Sequence, residues 1–133
     1  MPQIKDLLGG KSLEDSNGLK FRWEPGRVTV EFRNGRQQLI EYRIEGEYYV
    51  FRSVIAKRAV VERVGRKRIA KEILLRNRVT DVVAFQLTNA STVEGHIVQR
   101  AATLQADEAR FYLALLAQES DRFEYLLTGR DQH

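Results

Sequence analysis

The stretch that decides the fold is VTVEFRNGRQQLIEYRI, residues 28–44. Polar and apolar residues alternate along it on both sides of Asn34-Gly35, with the apolar set Val28, Val30, Phe32, Ile40, Tyr42 and Ile44. Alternation with a period of two is typical of a strand that buries one face. Asn and Gly both tolerate the left-handed backbone that a tight hairpin turn requires. The stretch therefore predicts two antiparallel strands joined by a turn.

The flanking residues extend this hairpin into a meander of four strands. Before it lie the turn dipeptide Pro25-Gly26 and an alternating strand with the apolar residues Leu19, Phe21 and Trp23. After it, a turn at Glu45-Gly46 leads into YYVFRSVI, residues 48–55. Both faces of that last strand are largely apolar. This indicates a central strand, covered on both sides or covered on one side and used on the other.

The second half of the chain predicts two helices around a second hairpin. A helix is expected from about Arg66 to Arg76, because Ile69, Ala70, Ile73 and Leu74 have helical spacing. The apolar residues of Val60–Val64 are out of phase with it, which indicates an irregular or separately packed piece. Two strands follow, with the inward sets Val83, Phe85 and Leu87, then Val93 and Ile97; His96 and Val98 lie on the other face of the second strand.

The closing residues 105–129 predict a long helix with two apolar stripes. Asp107 and Glu108 suit its first turn, and Gly129 suits the position just past its end. At 100° per residue one stripe would cover the sheet; it contains Ala109, Leu113, Leu116, Ser120, Phe123 and Leu127. Together these elements predict an α+β fold: an antiparallel sheet of about five to six strands, a meander, then a helix, then a hairpin, packed with two main helices. We expect one domain over residues 1–133, in which residues 1–17 form a short segment that is helical or mobile.

Composition limits the classes of function. The 133 residues are 43% hydrophobic and 30% charged, as in ordinary globular proteins, and contain no cysteine, which excludes disulfides and thiolate metal sites. No apolar run approaches the roughly 20 residues that span a membrane. The first residues lack the layout of a signal peptide, so the expected location is the cytoplasm, without a membrane partner.

Sites for catalysis are weak in this sequence. His133 is the last residue, and His96 on a strand is better explained as a surface or half-buried polar residue than as a base. Glu119, Asp121 and Glu124 point around their helix, and no cluster has metal-ligand spacing. No phosphate-binding loop or nucleophile elbow occurs. We expect no enzyme, no metal and no cofactor, with a small-molecule or catalytic role a distant third.

Positive charge is concentrated in residues 57–78, which hold nine basic and two acidic residues, whereas the rest of the chain holds 13 basic and 16 acidic. One interpretation is a solvated helix face, or one that meets the acidic side of the closing helix in a neighbouring subunit. The alternative is nucleic-acid binding, with the candidate residues Arg63, Arg66, Lys67, Arg68, Lys71, Arg76 and Arg78. The segment has no aromatic residue for base stacking, and the order of elements is not that of an RNA-recognition module.

The second stripe of the closing helix is a candidate interface. It consists of Phe111, Leu115 and Tyr125 with Arg122 between them. It would need help from the sheet, for which Tyr49 and Phe51 are the candidate residues. Burying the three apolar side chains contributes roughly 5–8 kcal/mol gross. Association costs an estimated ~4–15 kcal/mol. The stripe could also pack under the N-terminal segment or stay partly exposed.

The order of elements resembles the type III secretion chaperone-like fold, specifically its YbjN-like branch. The matching pieces are Arg52-Ser53 at a strand end, Leu75-x-Asn77 at a helix end, the Phe85 strand and the Asp107-Glu108 helix start, over roughly residues 19–128. The Pro25-Gly26 turn and the Val60–Val64 piece depart from the pattern. The resemblance implies an antiparallel sheet covered by helices, often dimeric, that binds another protein. We therefore expect a non-enzymatic, protein-binding or chaperone-like homodimer, with nucleic-acid binding as the alternative.

Overall fold

The computed structural model describes residues 18–129, together with the backbone of residues 12–14. The strands are β1 Ser12–Glu14, β2 Lys20–Glu24, β3 Arg27–Glu31, β4 Gln37–Glu45, β5 Tyr48–Ala56, β6 Ala84–Leu87 and β7 Val93–Arg100. The helices are α1 Arg58–Val64, α2 Arg66–Asn77 and α3 Ala106–Thr128, with a 3-10 turn at Ala101–Thr103. The α+β prediction is confirmed. Strands β2–β7 are the expected six, and the short β1 extends the sheet at one edge.

All strands belong to one antiparallel sheet in the order β1-β2-β3-β4-β5-β7-β6. The predicted hairpin is present, with Val28 opposite Ile40 and Glu31 opposite Gln37. Its turn is closed by a hydrogen bond of 2.8 Å from the Phe32 N–H to the Arg36 carbonyl. Gly35, with φ of 88°, is the turn residue that takes the left-handed conformation.

Strand β5 lies in the middle of the sheet, between β4 and β7, as its sequence predicts. Its Phe51 pairs with Tyr42 on one side and Ile97 on the other. The described helices pack on the face that carries these residues. On the opposite face, Leu39 and Val98 are exposed, so the part of the chain that the structure describes leaves this face uncovered.

Helices α1 and α2 are separated by Gly65, whose φ of 97° breaks the helical path. This break explains why the apolar residues before and after it are out of phase. The piece at Val60–Val64, predicted to be irregular or separately packed, belongs to a short helix that buries Val61. Helix α2 has the predicted bounds within one residue and buries Ile69 and Ile73.

Helix α3 spans 23 residues and covers the sheet with the predicted stripe, since Ala109, Leu113, Leu116, Ser120, Phe123 and Leu127 are all buried. The Glu108 carboxylate accepts a hydrogen bond of 3.2 Å from the Gln105 N–H at its start. Gly129 ends the helix in the left-handed conformation, as predicted. The Phe123 ring meets the edge of Phe85 with centroids 4.9 Å apart, which fixes α3 against β6.

The prediction for residues 1–17 falls mostly outside the described residues; Ser12–Glu14 are in strand β1. None of the described helices is long and apolar enough to cross a membrane.

Candidate functional site

The second stripe of α3 lies on the outer surface of the helical layer. Phe111 and Tyr125 are 59% and 56% exposed, Leu115 is half-buried, and Arg122 is exposed. The Arg122 guanidinium pairs with Glu119 on the same helix at 2.8 Å. The stripe runs about 21 Å along the helix, because 14 residues separate its ends at 1.5 Å each. Two large rings are therefore left in solvent by the described residues.

Tyr49 and Phe51 cannot join this interface, so that part of the prediction is wrong. They are 1% and 0% exposed and stack on each other under the helices, with ring centroids 5.9 Å apart. The outward residues of β5 are Tyr48, Val50, Arg52 and Val54. Both faces of this strand are largely apolar, so alternation alone could not predict which face packs against the helices.

The Phe111 end of the stripe borders a groove that the sequence did not predict. A cavity of about 260 Å³ is lined by Val79–Val83, Phe111, Leu115 and Glu119. Val79 and Val82, in the loop between α2 and β6, are exposed beside it. Two valines in a loop carry no periodic signal, so only the fold reveals that they continue the apolar surface of α3.

The seven candidate cations of the basic segment do not behave alike. Arg76 is half-buried with its guanidinium over the Phe123 ring, 5.7 Å from the centroid, and Arg66 donates a hydrogen bond of 2.7 Å to the Ser91 hydroxyl. The other five are exposed: Arg63, Lys67, Arg68, Lys71 and Arg78. None of these five has a carboxylate within ion-pair distance among the residues that the structure describes.

The uncovered face of the sheet carries a charged cluster at its centre. The Arg52 guanidinium donates two hydrogen bonds to the buried Glu94 carboxylate, at 2.9 and 2.8 Å, and a third to Glu41 at 3.0 Å. The His96 imidazole lies 3.2 Å from the same Glu94 carboxylate. Thr92 donates a further hydrogen bond to it at 3.1 Å. Three side chains, one from β5, one from β7 and one from the residue just before β7, thus converge on the Glu94 carboxylate.

Electrostatics in this cluster favour a charged Glu94 and a neutral His96. The hydrogen bonds from Arg52 lower the pKa of Glu94 below its ordinary value, and the same bonds raise the pKa of Arg52. Burial lowers the pKa of His96 below 6.5, although the Glu94 carboxylate opposes this effect. The arrangement orders side chains rather than preparing a base and a nucleophile. Across the described residues, no three His, Asp or Glu side chains are grouped as a metal site.

One edge of the sheet is closed by a side chain. The Phe85 N–H of β6 donates to the Asn77 amide oxygen at 2.9 Å, and the Asn77 amide nitrogen donates to the Phe85 carbonyl at 3.0 Å. Asn77 thus takes the place that a neighbouring strand would have. An edge residue that is satisfied in this way offers less for pairing with another chain.

Comparison with known proteins supports the fold. The chain is similar to a chain of the ExsC–ExsE complex, with 18% identity and a TM-score of 0.58, over 93% of this chain and 92% of that one. It is also similar to a chain of the HopA1–SchA chaperone–effector complex, with 7% identity and a TM-score of 0.51, over 96% of this chain and 88% of that one. The chain has the type III secretion chaperone-like fold.

The type III secretion chaperone-like fold is confirmed, and each comparison covers more than nine-tenths of this chain. No protein-family model and no curated protein matches the chain. The narrower YbjN-like assignment stays a prediction.

Proposed function

We propose that this protein is a non-enzymatic, chaperone-like module of one α+β domain that binds a partner protein and acts as a homodimer in the cytoplasm. The observation that carries the proposal is the apolar groove at the Phe111 end of α3, formed with Val79 and Val82. The likeness to a chain of a chaperone–effector complex supports a protein as the partner. Nothing in the arrangement of His96 and Glu94 suggests bond-making chemistry.

The groove changes the energy balance of the predicted interface. Tyr49 and Phe51 contribute nothing, because they are already in the core. Val79 and Val82 replace them, and in a two-fold dimer each residue is buried twice. Burying these partly exposed side chains on both copies contributes on the order of 10 kcal/mol gross. That gain is comparable to the estimated ~4–15 kcal/mol cost of association, so we expect a weak dimer whose population depends on protein concentration.

The test is the double substitution Phe111→Glu with Leu115→Glu, examined by sedimentation equilibrium and by capture of proteins from lysate with and without nuclease. We expect the dimer to dissociate and protein capture to be lost, because four carboxylates would lie in a two-fold apolar contact. Phe111→Glu alone, at the more exposed position, gives the same test if the double variant unfolds.

The matched control is Leu39→Glu with Val98→Glu, which places the same charges on the uncovered face of the sheet. Mass and capture should stay unchanged in this control. If the Phe111 variants keep the mass and the captured proteins of the wild type, the proposed surface is wrong. If only the control variant loses the dimer mass and protein capture, the binding surface lies on the uncovered face of the sheet.

Nucleic-acid binding remains the second candidate, favoured by the five exposed cations without a carboxylate partner in the described region. Two of the seven predicted residues, Arg66 and Arg76, are already engaged. With five phosphate contacts the affinity would fall steeply with salt, by about the fifth power of its concentration. A filter-binding titration at low salt that detects no complex would remove this candidate.

A further inference from the structure

The outer face of α2 combines positive charge with exposed aliphatic side chains. We call this surface the α2 face; its members are Lys67, Lys71, Leu74, Leu75 and Arg78. Ile69 and Ile73 point towards β6 and are buried. Residues 67, 71, 74 and 78 follow one another at spacings of four, three and four, which places them together on the opposite side of the helix.

The aliphatic residues of the α2 face are unusually open. Leu74 is 65% exposed, and its neighbour Leu75 on the same helix is 44% exposed. Single exposed leucines are common on protein surfaces, but an adjacent pair on one helix, framed by charges of one kind, is typical of a binding surface.

The charge around these side chains is predominantly positive. Helix α2 contains one carboxylate, Glu72, against five cations: Arg66, Lys67, Arg68, Lys71 and Arg76. Lys67, Lys71 and Arg78 have no carboxylate at ion-pair distance in the region that the structure describes. Unpaired cations beside an apolar strip attract anions and orient them around the strip.

We propose that the α2 face binds an acidic amphipathic helix of a partner protein. Its apolar side chains would pack on Leu74 and Leu75, while its carboxylates pair with Lys67, Lys71 and Arg78. An amphipathic helix laid on an apolar strip is a recurring mode of recognition, and opposite charge fixes its direction. The inference rests on the proposed function only in taking the partner to be a protein.

Two other occupants fit this surface less well. A second copy joined by a two-fold axis at Leu74 and Leu75 would bring Lys71 of one copy opposite Arg78 of the other, and like charges face to face oppose association. Nucleic acid would satisfy the cations, but it would leave the aliphatic strip without a partner. The segment also lacks the aromatic side chains on which single strands stack.

The experiment measures fluorescence anisotropy of labelled synthetic peptides with the full chain. The probe is a Glu/Leu amphipathic helix of about 20 residues, long enough to be partly helical alone. Two matched peptides replace every Leu by Ala or every Glu by Lys. We expect the Glu/Leu peptide to bind, the Glu/Ala peptide to bind at least about tenfold more weakly, and the Lys/Leu peptide not to bind, because both apolar contact and opposite charge are needed.

The variant Lys71→Glu with Arg78→Glu should weaken Glu/Leu binding at least about tenfold, because each reversal replaces an attraction by a repulsion. The control Lys20→Glu with Arg27→Glu makes the same change on the sheet and should bind as the wild type does. Both variants should keep the dimer mass of the wild type. A failure of the proposed homodimer would therefore show in the mass, independently of peptide binding.

Several results would overturn the inference. Equal binding of the Glu/Leu and Glu/Ala peptides would show a purely ionic surface. Tight binding of a single-stranded oligonucleotide or of anionic vesicles that Lys71→Glu with Arg78→Glu abolishes, with no Glu/Leu peptide bound, would assign the surface to nucleic acid or to membrane. Equal affinity of the variant and the wild type for the Glu/Leu peptide would place its binding elsewhere.

Discussion

His96 titrates on the uncovered face of the sheet, among charged side chains from three strands. Glu94 on its own strand lies 3.2 Å away, Arg52 lies on β5, and Glu41 and Arg43 lie on β4. Burial disfavours the imidazolium, and Arg52 adds repulsion, so the pKa of His96 falls below 6.5. An unfolded chain takes up this proton at a higher pH than the folded one. Stability is therefore lost as the pH falls from 6.5 towards the pKa of the folded state.

The substitution His96→Gln should remove this loss. We expect the wild type to lose free energy of unfolding between about pH 7 and 5, and the variant to stay level over that range, because glutamine does not titrate. Urea denaturation at a series of pH values measures both curves. The pKa of Glu94 is lowered from 4.5, so its contribution is full above that pH and is lost below it in both proteins. Parallel curves between pH 7 and 5 would contradict the assignment.

Helix α3 packs tightly on the sheet at Gly95 of β7. A Cβ atom built there would lie 3.0 Å from the Phe85 ring and 3.2 Å from Leu116. Both neighbours are buried, so neither can move away freely. Gly95 is thus a residue of helix–sheet packing, which strand alternation predicts only as an inward position.

The substitution Gly95→Ala should destabilise the protein by about 1–3 kcal/mol through overpacking. Leu116→Val removes the methyl group that the new Cβ would meet on the helix. The double variant should therefore be more stable than the sum of the two single effects, as measured in a urea double-mutant cycle. Strictly additive effects would mean that α3 does not press on β7 at this point.

Sequence patterns predicted the elements well where one period dominated. The stripe of α3 that covers the sheet followed from its helical spacing, and the hairpin at Asn34-Gly35 from alternation around a turn. The side of the sheet on which Tyr49 and Phe51 lie could not be predicted, because the residues that alternate with them along YYVFRSVI are also apolar or large. Which side chains of such a strand are buried depends on the side from which a helix packs on it, and this is decided only when the whole sheet is assembled.

The surface was less predictable for the same physical reason. Phe111 and Tyr125 were identified by their spacing on one helix, whereas Val79 and Val82 join them from a loop that is distant in sequence. Arg76 belonged to the basic segment by charge, but its contact with Phe123 exists only because the fold brings the end of α2 next to α3. Residues that meet across elements carry no common period along the chain.

Across the whole molecule, a buried polar chain ties β4, β5 and α3 together. The Ser53 hydroxyl donates to the Gln38 amide oxygen at 3.2 Å, and the Gln38 amide nitrogen donates to the Glu124 carboxylate at 3.0 Å. All three side chains are buried. Their elements are joined by contacts between residues as much as 86 positions apart in sequence. A buried polar network of this kind favours one packing of α3 on the sheet over a slipped one.

The substitution Gln38→Leu should cost about 1–3 kcal/mol of unfolding free energy, because it removes the Gln38 amide from two buried polar partners. Leucine has similar volume, so the loss would come from the Ser53 and Glu124 groups that it leaves without Gln38. The matched control is Gln37→Leu, one residue earlier on the uncovered face, which should stay within about 0.5 kcal/mol. Urea denaturation of both variants measures the difference. If the buried network fixes the packing of α3, its disruption must cost more unfolding free energy than the loss of a surface hydrogen bond. Equal losses in the two variants would therefore show that α3 is held by its apolar stripe alone.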